Sequence, residues 1–255
     1  MGDIMANENI KKLWKISLSM TSIWGAKGDF EIIDKFHPFW EKLNNEKLII
    51  TNEILCGISE ETKKILKDKQ ISEIRHFLIH RLHIIDENSF RNCLNYFFNG
   101  TNVSRSFEEK RIFITVLPDR ERKALINSLN QKNKEYIRLS IVNQYYKLLP
   151  KAGILAYDIS NCVSICRLGM HQGYLKESEF ASYLDTLAIK AQENYSSFEE
   201  FGLASVVGLL YSMDSLDDRA FDYDMAINYY TEKLKLALTH PQSYWRNLDW
   251  KLKLS

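Results

Sequence analysis

Apolar residues recur along this chain at the spacing of a helix face, and very little interrupts them. Ile10, Leu13, Trp14, Ser17 and Leu18 fall at i, i+3, i+4, i+7 and i+8, and the pattern continues through Ile23 and Trp24. Only 10 Gly and 4 Pro stand in 255 residues, so long helices meet few breakers. Gly25 to Gly28 is expected to end the first helix, and Pro38 to break a second amphipathic stretch over Phe30 to Leu43. Ser59 and Ser72 then read as N-caps of short helices running to about Lys67 and Leu82. Asp86 caps Glu87 to Phe98, and Gly100 ends that helix.

Residues 106–117 read two ways. Arg111 to Val116 is rich in β-branched and aromatic residues before Pro118, which suits a short strand, but helix is the preferred reading. Asp119 to Asn130 and Gln131 to Leu149 form one long helix or two joined ones. Leu155 to Gln172 and Lys176 to Asn194 follow, separated by Gly173. Ser197 and Glu200 have capping-box spacing and open a helix to Met213. A last long helix spans roughly Ala220 to Thr239, before Pro241 and an aromatic tail. The expectation is an all-α, compact multi-helix globular protein of roughly nine to eleven helices. The loop after Leu149 is the one candidate boundary, between an N-terminal part (1–150) and a C-terminal part (151–255), read as one continuous globule.

Composition narrows the classes further. A hydrophobic fraction of 45% with a net charge of +1 is wrong for a disordered chain. The polar start from Met1 to Lys12 lacks the apolar run of a secretory signal, and no apolar stretch reaches the roughly 20 residues of a membrane span. Four cysteines are too few for a disulfide framework. A cytoplasmic protein without a membrane partner is expected. The small net charge hides an asymmetry. Residues 1–150 carry 24 basic and 19 acidic side chains, while residues 151–255 carry 10 and 14. The chain as a whole therefore does not present the uniform field of a nucleic-acid clamp, and no direct nucleic-acid contact is expected.

The C-terminal third carries a motif pattern. Ala156-Tyr157-Asp158-Ile159-Ser160-Asn161, then Cys166-Arg167-Leu168-Gly169 and Gly173-Tyr174-Leu175, resemble the core of the bacterial domain-of-unknown-function 1266 family. Ser197-Phe198-Glu199-Glu200-Phe201-Gly202 and the ending Pro241 to Trp250 resemble it too, as do weaker markers at Trp14, Cys56-Gly57-Ile58-Ser59 and His80-Arg81. Asn161 stands where many members have Arg, and Tyr244 where Pro is common. The resemblance implies a helical fold in a bacterial cytosol and singles out Asp158, Arg167, Tyr174, Glu199 and Glu200 as polar markers. It implies no activity, cofactor or substrate.

Nine positions on one helix put Asp158 and Arg167 on opposite faces, so the two are not one catalytic pair. Asp158 is placed to cap backbone N–H groups near its helix start, and Arg167 to clamp Glu199 or Glu200. The alternative is a pocket formed by Asp158, Arg167, His171, Tyr174 and Glu200, serving an enzyme or small-ligand binder. Cys162 and Cys166 share a helix face but lack further zinc ligands, and read as small buried hydrophobes. His76, His80 and His83 have metal-like spacing, yet Phe77 stands where a zincin motif needs Glu. No cofactor and no metal are expected. The tryptophans are expected to fill the core. No nucleophile elbow or phosphate-binding glycine loop is present.

Asp214, Asp217, Asp218, Asp222 and Asp224 crowd eleven residues, without the spacing of a calcium loop. They read either as a solvated loop or as a docking surface for a basic protein. The functional expectation is a non-catalytic helical binding protein, in its most concrete form an immunity-type protein that neutralises a basic toxin or nuclease through these residues. Homodimerisation stays open.

Overall fold

The computed structural model describes residues 2–25, 27–45, 47–58, 74–130, 133–213 and 223–254. Among them there is no strand. The N-terminal part contains α1 (Gly2–Ser17), α2 (Lys27–Lys35), α3 (Phe39–Asn44), α4 (Asn52–Cys56) and α5 (residues 74–82). Then come α6 (Glu87–Phe98), α7 (Asn102–Val116), α8 (Asp119–Ser128) and α9 (Lys134–Tyr145). The C-terminal part contains α10 (Leu155–His171), α11 (Glu177–Asn194), α12 (Phe198–Ser212), α13 (Tyr223–Thr239) and the short α14 (Tyr244–Asn247).

Several boundaries differ from the sequence reading for identifiable reasons. The first helix stops at Ser17 and does not continue to Trp24. In the run Ser17 to Ser22 the Ser17 and Ser19 hydroxyls donate to the carbonyls of Trp14 and Ile16, and the backbone tightens to i→i−3 bonds. Gly28 lies inside α2, so only Gly25, at φ +76°, serves as the breaker. The break at Pro38 holds, with α2 and α3 on either side. Residues 106–116 are helical within α7, where Phe107 and Ile114 are buried on one helix face, and Leu117 is the extended C-cap. The stretch 119–149 is two helices. The expected Ser59 helix and the start of the Ser72 helix lie outside the described residues.

α10 is the hub. It packs on α12, α11 and α6, and also touches α1, α4 and α7, so contacts cross the boundary after Leu149 freely. Two glycines permit the closest approaches. A Cβ on Gly208 of α12 would lie 2.8 Å from Tyr157 Cγ, and one on Gly169 would enter the Phe90 ring. The aromatic tail closes the far side. Trp14, Phe198, Phe201, Trp245 and Trp250 form one cluster with ring centroids 4.9–6.2 Å apart. Burying an indole leaves its N–H in need of an acceptor. Trp14 donates to Asp249 O, Trp245 to Ser17 O and Trp250 to Tyr195 O, at 2.9–3.0 Å. The tail is thereby pinned to α1 and α11. Trp24 and Trp40 are only partly buried and border the core instead of filling it.

Candidate functional site

Fourteen of the seventeen residues of α10 are buried, so its polar side chains must find partners inside the protein. Arg167 finds five. Its Nη1 and Nη2 donate to Asp29 Oδ2 and Oδ1 at 2.9 and 2.5 Å, a bidentate pair. Nε donates to Leu55 O at 2.7 Å, Nη1 also to Ser19 Oγ at 2.7 Å, and Nη2 reaches Ile54 O at 3.4 Å. The guanidinium thus ties α10 to the turn after α1, to α2 and to α4. Burial by itself would lower the Arg167 pKa, but the Asp29 carboxylate overrides it and holds it above the ordinary value.

This geometry corrects one expectation: Arg167 pairs with Asp29, not with Glu199 or Glu200. The partner lies 138 residues away in sequence, and nothing local announces it. A signal existed in the glycines. Gly57, in the left-handed conformation after α4, would put a Cβ 2.5 Å from Arg167 Nη2, and Gly28, next to Asp29, lies against the Gly57 carbonyl. The Cys56-Gly57-Ile58 marker is therefore the floor under Arg167. Tyr244 is fully buried in the same region, and burial followed by the Asp29 charge pushes its phenol well above the usual tyrosine range.

Asp158 leaves the other face of α10, as the nine-residue spacing requires. It accepts from Thr101 Oγ1 at 2.7 Å and from Thr101 N at 3.2 Å. Thr101 is itself the N-cap of α7, accepting from Ser104 N. So Asp158 does receive a backbone N–H, but from the corner between α6 and α7, not from its own helix start. Burial raises its pKa, and the Thr101 hydroxyl only partly opposes that.

The other markers are local. Glu200 accepts from Ser196 N and Oγ at 2.6 and 2.9 Å, while Ser197 Oγ accepts from Glu200 N at 3.1 Å. The cap is real, but its reciprocal half has moved one residue upstream. Glu199 and His171 are exposed. Tyr174 is half-buried on Phe90, and its carbonyl accepts from Arg91, which also holds Glu179. Asp158, Arg167, His171, Tyr174 and Glu200 thus occupy separate environments, with Asp158 and Arg167 both inside the core. A shallow groove on α11 is lined by Phe98, Ser178, Glu179, Ser182, Tyr183 and Thr186. None of the sequence-derived candidates lines it.

Cys162 and Cys166 are buried free thiols, and burial pushes the neighbouring Cys93 thiol up to about 11. The His76 and His80 rings lie 4.4 Å apart on an exposed face, with His83 beyond the helix end at φ +54°. Among the described residues no three His, Cys, Asp or Glu side chains gather as metal ligands would. No described helix is long and apolar enough to cross a membrane. Asp214, Asp217, Asp218 and Asp222 lie outside the described residues, and so does the side chain of Asp224 in the first turn of α13.

These features define an all-α globular protein in which the buried Asp158 and Arg167 of α10 brace it to neighbouring helices. Its family follows from comparison with known proteins. Residues 78–250 match the family described as "Protein of unknown function (DUF1266)", and the chain belongs to that family. No curated protein and no solved structure matches the chain.

Proposed function

We propose that this protein acts by binding another protein, and that the acidic stretch Asp214 to Asp224 forms the contact. The observation that supports this most is how the buried polar residues are used. Asp158 and Arg167, the polar markers at the centre of the family motif, have their hydrogen-bonding capacity directed at Thr101, Asp29, Ser19 and Leu55. Groups so engaged hold helices and are poorly placed to meet a substrate. The charge density of the chain lies elsewhere, in five aspartates within eleven residues. Such a patch attracts a basic partner over about a Debye length and raises the association rate.

The concrete version is an immunity-type protein that neutralises a basic toxin, such as a nuclease, by covering its cationic surface. The setting this implies is the cytoplasm of a bacterium. The test is direct binding between the purified protein and the proteins encoded by adjacent genes, followed by rescue of growth when a toxic neighbour is co-expressed. Binding that weakens steeply with salt, and growth rescue lost on changing the five aspartates to Asn, support the proposal. No binding to any neighbour, or rescue that survives the five changes, overturns it.

A further inference from the structure

Phe77 removes the general base of a zincin motif, but holding an ion needs no base. It needs donors, and α5 supplies two. His76 and His80 stand one turn apart, both exposed, with ring centroids separated by 4.4 Å. That separation fits one chelated ion. A metal about 2.0–2.1 Å from a ligating imidazole nitrogen lies about 3.2 Å from the centroid of that ring. Two imidazoles at a right angle around it then have centroids about 4.5 Å apart, and at a tetrahedral angle about 5.2 Å. The pair on α5 has the right-angle separation. We propose that His76 and His80 form a chelating site for a late first-row divalent ion that favours tetragonal geometry, copper(II) or nickel(II), with water in the remaining positions.

The rest of α5 prepares the pair. Ile74 and Leu78 on its other side are buried, and the Phe77 ring packs on Trp24 at 4.9 Å. The backbone under the two imidazoles is therefore held before an ion arrives, and chelation orders only two side chains. Among the described residues neither imidazole has a hydrogen bond or an ion pair, so no partner has to be displaced. Arg75 and Arg81 are the neighbouring cations on the helix. At 100° per residue each lies about 120° around the axis from the middle of the pair, and both are exposed, so water and salt screen their repulsion of an ion. His83 would add a third imidazole on a longer helix, but α5 ends at residue 82 and His83 leaves it with φ +54°. The donors are thus two nitrogens without a carboxylate, which disfavours the oxygen-seeking calcium and magnesium ions.

The probe is the nickel(II) ion, titrated calorimetrically into the tag-free full chain near neutral pH. One equivalent is expected to bind, at least about tenfold more tightly than to His76→Asn or His80→Asn, and magnesium is expected to give no binding heat. His171→Asn, which changes an exposed imidazole on α10, is expected to bind like the parent chain. Without metal the two α5 variants are expected to keep the parent's urea midpoint, because both imidazoles are exposed. Nickel(II) is expected to raise the midpoint of the parent more than that of either variant. Binding that is unchanged in both α5 variants, or that falls equally in His171→Asn, overturns the proposal. So does zinc(II) bound more tightly than nickel(II), the order of a tetrahedral site.

Discussion

Changing Gly208 to Ala should destabilise the protein, although intrinsic helix propensity favours Ala over Gly by about 1 kcal/mol. Gly208 sits in the middle of α12, where that gain would ordinarily appear. Its missing side chain is occupied by Tyr157 of α10: an added methyl would lie 2.8 Å from Tyr157 Cγ and within contact of its Cβ. Ordinary carbon contacts are about 3.5–4.0 Å, so α10 and α12 must separate by roughly 1 Å. Tyr157 cannot yield by rotating, because the clash falls at the root of its side chain and the residue is buried. A gap of about 1 Å forfeits up to half of the dispersion energy of the facing atoms. Overpacking of this kind costs about 1–3 kcal/mol, and we expect a net loss of about 1–2 kcal/mol after the propensity gain. Urea unfolding followed by far-ultraviolet circular dichroism measures it. Gly173 is the control, because a Cβ there meets nothing within 4 Å and only the φ of +78° is strained. If G208A is as stable as the parent chain, the close packing of α10 on α12 is wrong.

Two further outcomes follow from the braces and caps. The raised pKa of Asp158 means that its contribution to stability is present at low pH and lost as pH rises through the folded value. The stability difference between the parent and D158N should therefore move in favour of D158N as pH rises above the ordinary carboxylate range, and a difference constant with pH would contradict this. Ser197→Ala removes the acceptor for Glu200 N and should cost about 1 kcal/mol in the same urea assay.

Much of the helical framework was legible because periodicity, caps and breakers act locally. Asp86, Ser197, Pro38 and Gly173 mark ends that any reading of near neighbours can find. The end of the first helix at Ser17 is hidden because the Ser17 and Ser19 hydroxyls compete for backbone carbonyls, a choice that the apolar spacing of Leu18, Ile23 and Trp24 does not reveal. The Asp29–Arg167 pair was not legible. Its members are far apart in sequence, and the acidic pair of the capping-box segment, Glu199 and Glu200, are plausible partners until packing assigns them elsewhere. What was legible is that Asp158 and Arg167 point away from each other, since helix geometry alone dictates it.

If the buried Asp158 and Arg167 build the fold, the Asp29–Arg167 pair shows it most directly. A double-mutant cycle with D29N, R167M and the double variant measures their coupling at neutral pH. Leaving either charge buried alone should cost about 3–5 kcal/mol, and the double variant should be no less stable than the worse single, a coupling of about 3 kcal/mol. Single changes that each cost under about 1 kcal/mol and add in the double variant would show that Arg167 is not a brace.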